Sequence, residues 1–311
     1  MPLGRAPFTL KQSDQLGVPR HRTKSADLRT PSRMIRVPKG GKISLVDRCR
    51  PYTDLTNDGI ISHLTAAHIH GFDLPRGFET QTAIDLSRPR EASTPRRKNV
   101  NGHRLVLTPE EIRDVEGVPV TSIQRTWLDL ADILALDDLV VVGDQIVCCH
   151  HRTFGPIKRA MVPLDVLKSY VADKRKIPGL ARARDALDLI RVGVDSPPET
   201  RLRLLLQRAG LPVFIPDFPI NDVAGHPAVW PDLGCAEYAT CVEYDGEHHL
   251  DPKQQSLDHE RDALTTELEW HQAKIYSPDL RWDGQPAIRK VARMLVRGGW
   301  PDPDNLARLR G

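Results

Sequence analysis

Nothing in this sequence is long and apolar enough to cross a membrane: no run approaches the roughly eighteen apolar residues that a spanning helix needs. The opening stretch, Met1-Pro2-Leu3-Gly4-Arg5-Ala6-Pro7, lacks the apolar core of a secretory leader. Cysteine is scarce too. Five cysteines, odd in number and without pattern, exclude a disulfide framework and predict a reducing, cytoplasmic setting with no membrane partner. Internal repeats and low-complexity tracts are absent. Net charge is small, at +3.

What is present is length, and charge that is unevenly spread. The chain has 311 residues, 40% hydrophobic and 27% charged, which predicts two or three soluble globular domains. Residues 1–50 hold twelve Lys/Arg against three Asp/Glu, and a second basic run covers Arg88 to Arg104. Such segments are solvated arms or nucleic-acid surfaces, and double-stranded DNA is the expected partner.

Residues 1–50 read as a winged-helix-like module. Thr9 caps a helix that Gly17 closes, and Pro19 to Leu28 reads as a second, basic helix. Arg33-Met34-Ile35-Arg36-Val37 alternates as a strand does. A helix followed by a wing would present Arg20, Arg22, Arg33 and Arg36 as one DNA-binding face. Residues 51–150 form an α+β middle domain. A capped helix runs from Ile61 to Gly71, strands are expected at 80–86 and 102–107, and Ser122 starts a helix with Ile123, Trp127 and Leu130 on one face. His63 and His70 lie a heptad apart and His68 points elsewhere, which favours packing over metal binding. Cys148-Cys149-His150-His151 has a zinc-like composition, but four consecutive side chains do not readily surround one ion. Residues 151–195 read as a helical linker.

Residues 196–311 carry the chemistry. Ser196-Pro197-Pro198-Glu199 opens a helix with Pro at its first position and Glu199 at the third, so Glu199 is a capping residue or a carboxylate facing an adjoining sheet. Asp232 and Glu243 fall on neighbouring strands of an expected hairpin. They are either strand-end carboxylates at the surface or, given Cys241, Val242 and Tyr244 around Glu243, buried acids that need a partner. Converging carboxylates suit a hard divalent cation, which prefers oxygen ligands and activates water.

The stretch from Ser196 to Leu280 resembles the very-short-patch-repair-type endonuclease domains of the PD-(D/E)XK, restriction-endonuclease-like superfamily. The resemblance runs through Glu199-Thr200-Arg201-Leu202, Ala209-Gly210-Leu211-Pro212, Pro231-Asp232-Leu233, Val242-Glu243-Tyr244-Asp245-Gly246 with His249, and Asp258-His259-Glu260-Arg261. It implies a central mixed sheet flanked by helices. It also implies Mg²⁺ or Mn²⁺ on Asp232, Glu243 and Glu199, with His249 as general base or phosphate contact. Asp245 stands where many superfamily members have the lysine of their E-x-K motif, so Arg261 or Lys274 is expected to supply the positive charge. Leu268-Glu269-Trp270 departs from the Gly-Trp that often follows the helix. The upstream part, through Ser62-His63-Leu64-Thr65-Ala66-Ala67, Thr121-Ser122 and Arg125-Thr126-Trp127-Leu128-Asp129-Leu130-Ala131, resembles AbiEi-type antitoxin and transcription-regulator proteins. That resemblance implies DNA binding without catalysis.

The fold class expected is therefore α/β and α+β multidomain. Two functions compete: a metal-dependent DNA endonuclease, and a catalytically inactive DNA-binding regulator or antitoxin-like protein that keeps the fold. The residues do not set the target site, the strand preference or the oligomeric state.

Overall fold

Short polar side chains fix where several helices begin. Thr9 Oγ1 accepts from the Gln12 N–H while Gln12 reaches back to the Thr9 N–H. Ser44 and Ser122 accept from Asp47 and Arg125 in the same way. Each bond satisfies an N–H that the helix itself cannot. This computed structural model describes residues 6–80, 82–150, 152, 157–246 and 252–308, with 252–258 described by backbone alone. The chain divides into two compact units, Met1–Leu139 with Val166–Arg184 and Val140–Asp165 with Asp185–Gly311.

The first unit starts with β1 (Phe8–Thr9), α1 (Leu10–Gln15), β2 (Leu28–Arg29) and β3 (Ile35–Pro38), which form a small antiparallel sheet in the order β1-β3-β2. The basic helix expected over residues 19–28 is not formed. Only one 3-10 turn, Arg22–Lys24, stands there. Between Pro19 and Ala26 no apolar residue is available to bury a helical face, and so short a helix is marginal without one. Next come α2 (Leu45–Asp54), β4 (Ile60–Ile61), α3 (His63–His70), β5 (Ile84–Pro89), β6 (Val100–Leu105), β7 (Ile112–Val115), β8 (Val118–Thr121) and α4 (Ile123–Leu130). The five strands order as β6-β5-β4-β8-β7, with β5/β6 and β4/β8 parallel and the other pairs antiparallel. Ile35 and Val37 of β3 share a buried cluster with Cys49, Ile61, Leu86 and Val120.

Three helices carry the chain from one unit to the other: α5 (Leu136–Val147), α6 (Leu164–Ala172) and α7 (Leu180–Leu189). Residues 151–195 are thus shared between the units.

The second unit continues with α8 (Pro197–Arg208), β9 (Ile215–Pro216), β10 (Ile220–Asn221), β11 (Pro227–Val229), β12 (Leu233–Cys235), β13 (Thr240–Asp245), α9 (Pro252–Glu267), β14 (His271–Tyr276) and α10 (Gln285–Arg297). Its main sheet has the order β14-β13-β12-β9. β13 and β14 run parallel on either side of α9, and the remaining pairs are antiparallel. Successive side chains of a strand point to opposite faces. Val242 and Tyr244 pack with Leu202 and Leu206 of α8 and Ile288, Val291 and Leu295 of α10. Cys241 packs on the other side with Ile220, Val229, Leu264 and Trp270. A Cβ on Gly234 would come within 2.7 Å of Phe218, so glycine there lets that ring lie against the sheet on the Trp270 side. Mixed sheets and ten α-helices among the described residues give the α/β and α+β multidomain class expected.

Candidate active site

β13 sets the site by its alternation. With Cys241 facing the α9 side, Glu243 and Asp245 face the same way. Leu233 pairs with Val242, so continuing the antiparallel register by one brings Asp232 opposite Glu243. Leu233 and Cys235 face the α8/α10 core, which leaves Asp232 on the same side as Glu243. Asp232 Oδ2 accepts from the Tyr244 N–H at 2.7 Å. The two acids therefore share a face of the sheet.

Burial, then the Glu199 and Glu243 carboxylates, push the Asp232 carboxyl from its ordinary 3.8 up to about 8, against the Tyr244 N–H and Arg261. Glu243 is 7% exposed. Its Oε2 accepts from Arg261 of α9 at 2.7 Å, while its buried Oε1 has no hydrogen-bond partner among the described residues. Burial raises its pKa more than Arg261 and Lys274 lower it. Glu199, 8% exposed in the first turn of α8, accepts from Ser196 Oγ at 2.7 Å and from the Asp195 N–H at 3.0 Å. Neither bond caps the helix: the Ser196 hydroxyl donates to Glu199 and makes no bond to the helix backbone, and the Asp195 N–H lies ahead of the helix. Burial raises the Glu199 pKa and these two donors oppose the rise.

Cations frame the acids. Lys274 is the parallel partner of Glu243 on β14, so its side chain leaves the same face at the same level, and it donates to Asp262 at 2.5 Å. Asp245 lies one pleat along from Glu243, paired with Tyr276. His249 lies outside the described residues, as does the side chain of Asp258. Sequence reasoning missed Arg152. Its guanidinium bonds Asp195 at 2.8 Å and Asp217 at 2.6 Å, and it lies within electrostatic reach of both Glu199 and Asp232. Lys158 and His150 converge on the same Asp195, at 2.9 and 3.2 Å. No local pattern announces this, since Arg152 lies 43 residues from one partner and 65 from the other. Among the described residues no three His, Cys, Asp or Glu side chains already stand in a metal-binding group.

The expected DNA-binding face of the N-terminal segment is partly self-neutralised. Arg20 pairs with Asp14 at 2.5 Å, Arg22 forks onto Asp27 at 2.7 and 2.8 Å, and Arg36 donates to the carbonyls of Thr23 and Ile35. Arg33 is exposed. In the α3 region, His70 Nε2 meets the Thr121 carbonyl at 2.8 Å, and His63 stacks on His103 with ring centres 3.9 Å apart.

No family model and no solved structure matches the chain. It is similar to two uncharacterized proteins of Mycobacterium tuberculosis, one from strain CDC 1551 / Oshkosh and one from strain ATCC 25618 / H37Rv. Each is 29% identical over 135 residues, covering 42% of this chain and 48% of the relative. The chain thus matches about half the length of these curated relatives. No described helix is long and apolar enough to cross a membrane.

Proposed function

We propose that this protein is a divalent-metal-dependent endonuclease that hydrolyses phosphodiester bonds of double-stranded DNA. The observation that carries the reading is the pairing of Asp232 and Glu243 on one face of a mixed sheet. The first has its carboxyl pushed up to about 8, and the second has a buried oxygen without a partner among the described residues. Buried acids pressed on one another are costly. The donor set is all oxygen, which fits Mg²⁺ or Mn²⁺ held by Asp232 and Glu243 beside Glu199. A cation bound there supplies a polarised phosphate and a water of lowered pKa.

The protein's own residues do the rest. Lys274 and Arg261 offer positive charge to the phosphoryl oxygens, the task of the lysine for which Asp245 stands in this chain. Arg152 adds a further guanidinium near Asp232. His249 is the candidate for proton transfer. The reading is tested by nicking of supercoiled plasmid with Mg²⁺, Mn²⁺ or EDTA. Cleavage is expected only with metal and only with both acids intact. Equal trace cleavage by wild type and Glu243→Gln would identify a contaminant and end the proposal.

A catalytically inactive DNA-binding regulator, antitoxin-like in its N-terminal half, is the second reading. It is favoured by Asp245 in the lysine position and by Glu199, both of whose oxygens already accept hydrogen bonds.

A further inference from the structure

The second basic run folds into a feature that the active site does not use. The loop between β5 and β6 turns back over β6 and closes one side of an open cleft of about 870 Å³. Gly102 makes this possible, because a Cβ there would lie 2.1 Å from the Pro95 carbonyl oxygen. Four arginines line the cleft, Arg88, Arg96, Arg97 and Arg104, together with Asn57 and Ser93 and without a single acidic or aromatic side chain.

The charges in this cleft are poorly compensated. Arg88 and Arg104 are register partners on β5 and β6, so two like charges leave the sheet side by side. Like charges placed opposite one another on a sheet destabilise it. Arg88 is held by the Asn57 carbonyl and by Ser93, and Arg97 by the Arg33 carbonyl, yet the Arg97 Nε is buried without a partner. Arg96 and Arg104 are exposed, and their side chains make no hydrogen bond or ion pair among the described residues. By contrast, Arg20 and Arg22 are already paired with Asp14 and Asp27.

We propose that this cleft seats the sugar–phosphate backbone of duplex DNA. The inference rests on the duplex-DNA substrate of the proposed function and not on cleavage. Guanidinium forks, a hydroxyl and an amide suit phosphate oxygens. The absence of any aromatic ring argues against single strands, whose bases stack on such rings. Contacts of this kind position a duplex and carry no sequence information.

The test is fluorescence anisotropy of the full chain with a labelled duplex of about 20 base pairs, in EDTA, over roughly 50 to 200 mM salt. Each phosphate contact adds about 0.9 to the slope of log affinity against log salt, so Arg96→Ala with Arg104→Ala should lower the slope by about 2. Unaltered slope and affinity in the Arg96/Arg104 double variant, with an unchanged melting temperature, would overturn the proposal. So would tighter binding of single-stranded DNA or duplex RNA. Displacement of the duplex by inorganic phosphate beyond the effect of matched ionic strength would point to a small anion and overturn it too. Binding through the cleft without metal-dependent cleavage would sink the nuclease and leave the cleft standing. Cleavage with an unaltered double variant would do the reverse.

Discussion

Two carboxyls, one in each unit, show what separates an acid held in its charged form from one pushed toward its neutral form. In the first unit Glu111 is 3% exposed. It accepts from Tyr170 at 2.5 Å, Lys174 at 2.8 Å and the Thr108 N–H at 2.9 Å, with Arg125 at 3.6 Å. Burial pushes its pKa up, but these donors outweigh burial and hold it below the usual carboxylate range. In the second unit Asp232 has acids for neighbours, and its pKa moves the other way. At Glu111 the donors outweigh burial, whereas at Asp232 burial is the largest cause and acidic neighbours add to it, so the two carboxyls move in opposite directions.

The largest expected effect falls on the second unit's acids. Asp232→Asn and Glu243→Gln should each remove metal-dependent cleavage by on the order of a thousandfold or more, because several kcal/mol of transition-state stabilisation go with the ion. Affinity for duplex DNA in EDTA should stay within a few-fold, which a binding titration beside the nicking assay checks.

Glu111 should respond in stability instead. Glu111→Ala strands Lys174 and the Tyr170 hydroxyl without their acceptor, while Arg125 keeps Asp129. Breaking a buried charge pair costs about 3–5 kcal/mol, read as a fall in thermal or urea midpoint. A Glu111→Ala protein as stable as wild type would erase the distinction between the two carboxyls.

A third effect is smaller and has a defined sign. Asp232 is protonated in the folded chain between pH 3.8 and about 8, where the unfolded chain has lost that proton. Without metal, stability therefore falls as pH rises through this window. Asp232→Asn should flatten that fall and raise the melting temperature near pH 8, by about 2–4 °C per kcal/mol relieved. The smallest effect is expected at the exposed Arg22–Asp27 pair, where Arg22→Ala should leave the melting temperature nearly unchanged.

The sequence carried the local signals well. Thr9 and Ser122 cap as their side chains predict, and Gly71 ends α3 with φ 72°. α8 opens at Pro197 as Ser196-Pro197-Pro198-Glu199 foretells, and Asp232, just before β12, stands opposite Glu243 of the neighbouring β13. Long-range pairing was not legible. Strands expected at 80–86 and 102–107 lie at Ile84–Pro89 and Val100–Leu105, because the basic loop, anchored over Gly102, sets their ends. The basic stretch at 19–28 has nothing apolar before Ala26 to bury along a helix, and its one large apolar residue, Leu28, is buried in β2 instead. Arg152 and the level of Lys274 beside Glu243 follow from tertiary register, which no window of sequence contains.

The central claim is that Asp232 and Glu243 form one cation site whose charge is relieved by a metal. Calorimetric titration of Mn²⁺ into the metal-free protein, in buffers of different ionisation enthalpy, tests it most directly. The account predicts a saturable site in wild type, proton release on binding below the Asp232 pKa of about 8, affinity that rises with pH up to that point, and loss of the site in Glu243→Gln. No saturable binding, or binding of equal strength in Glu243→Gln, would contradict it.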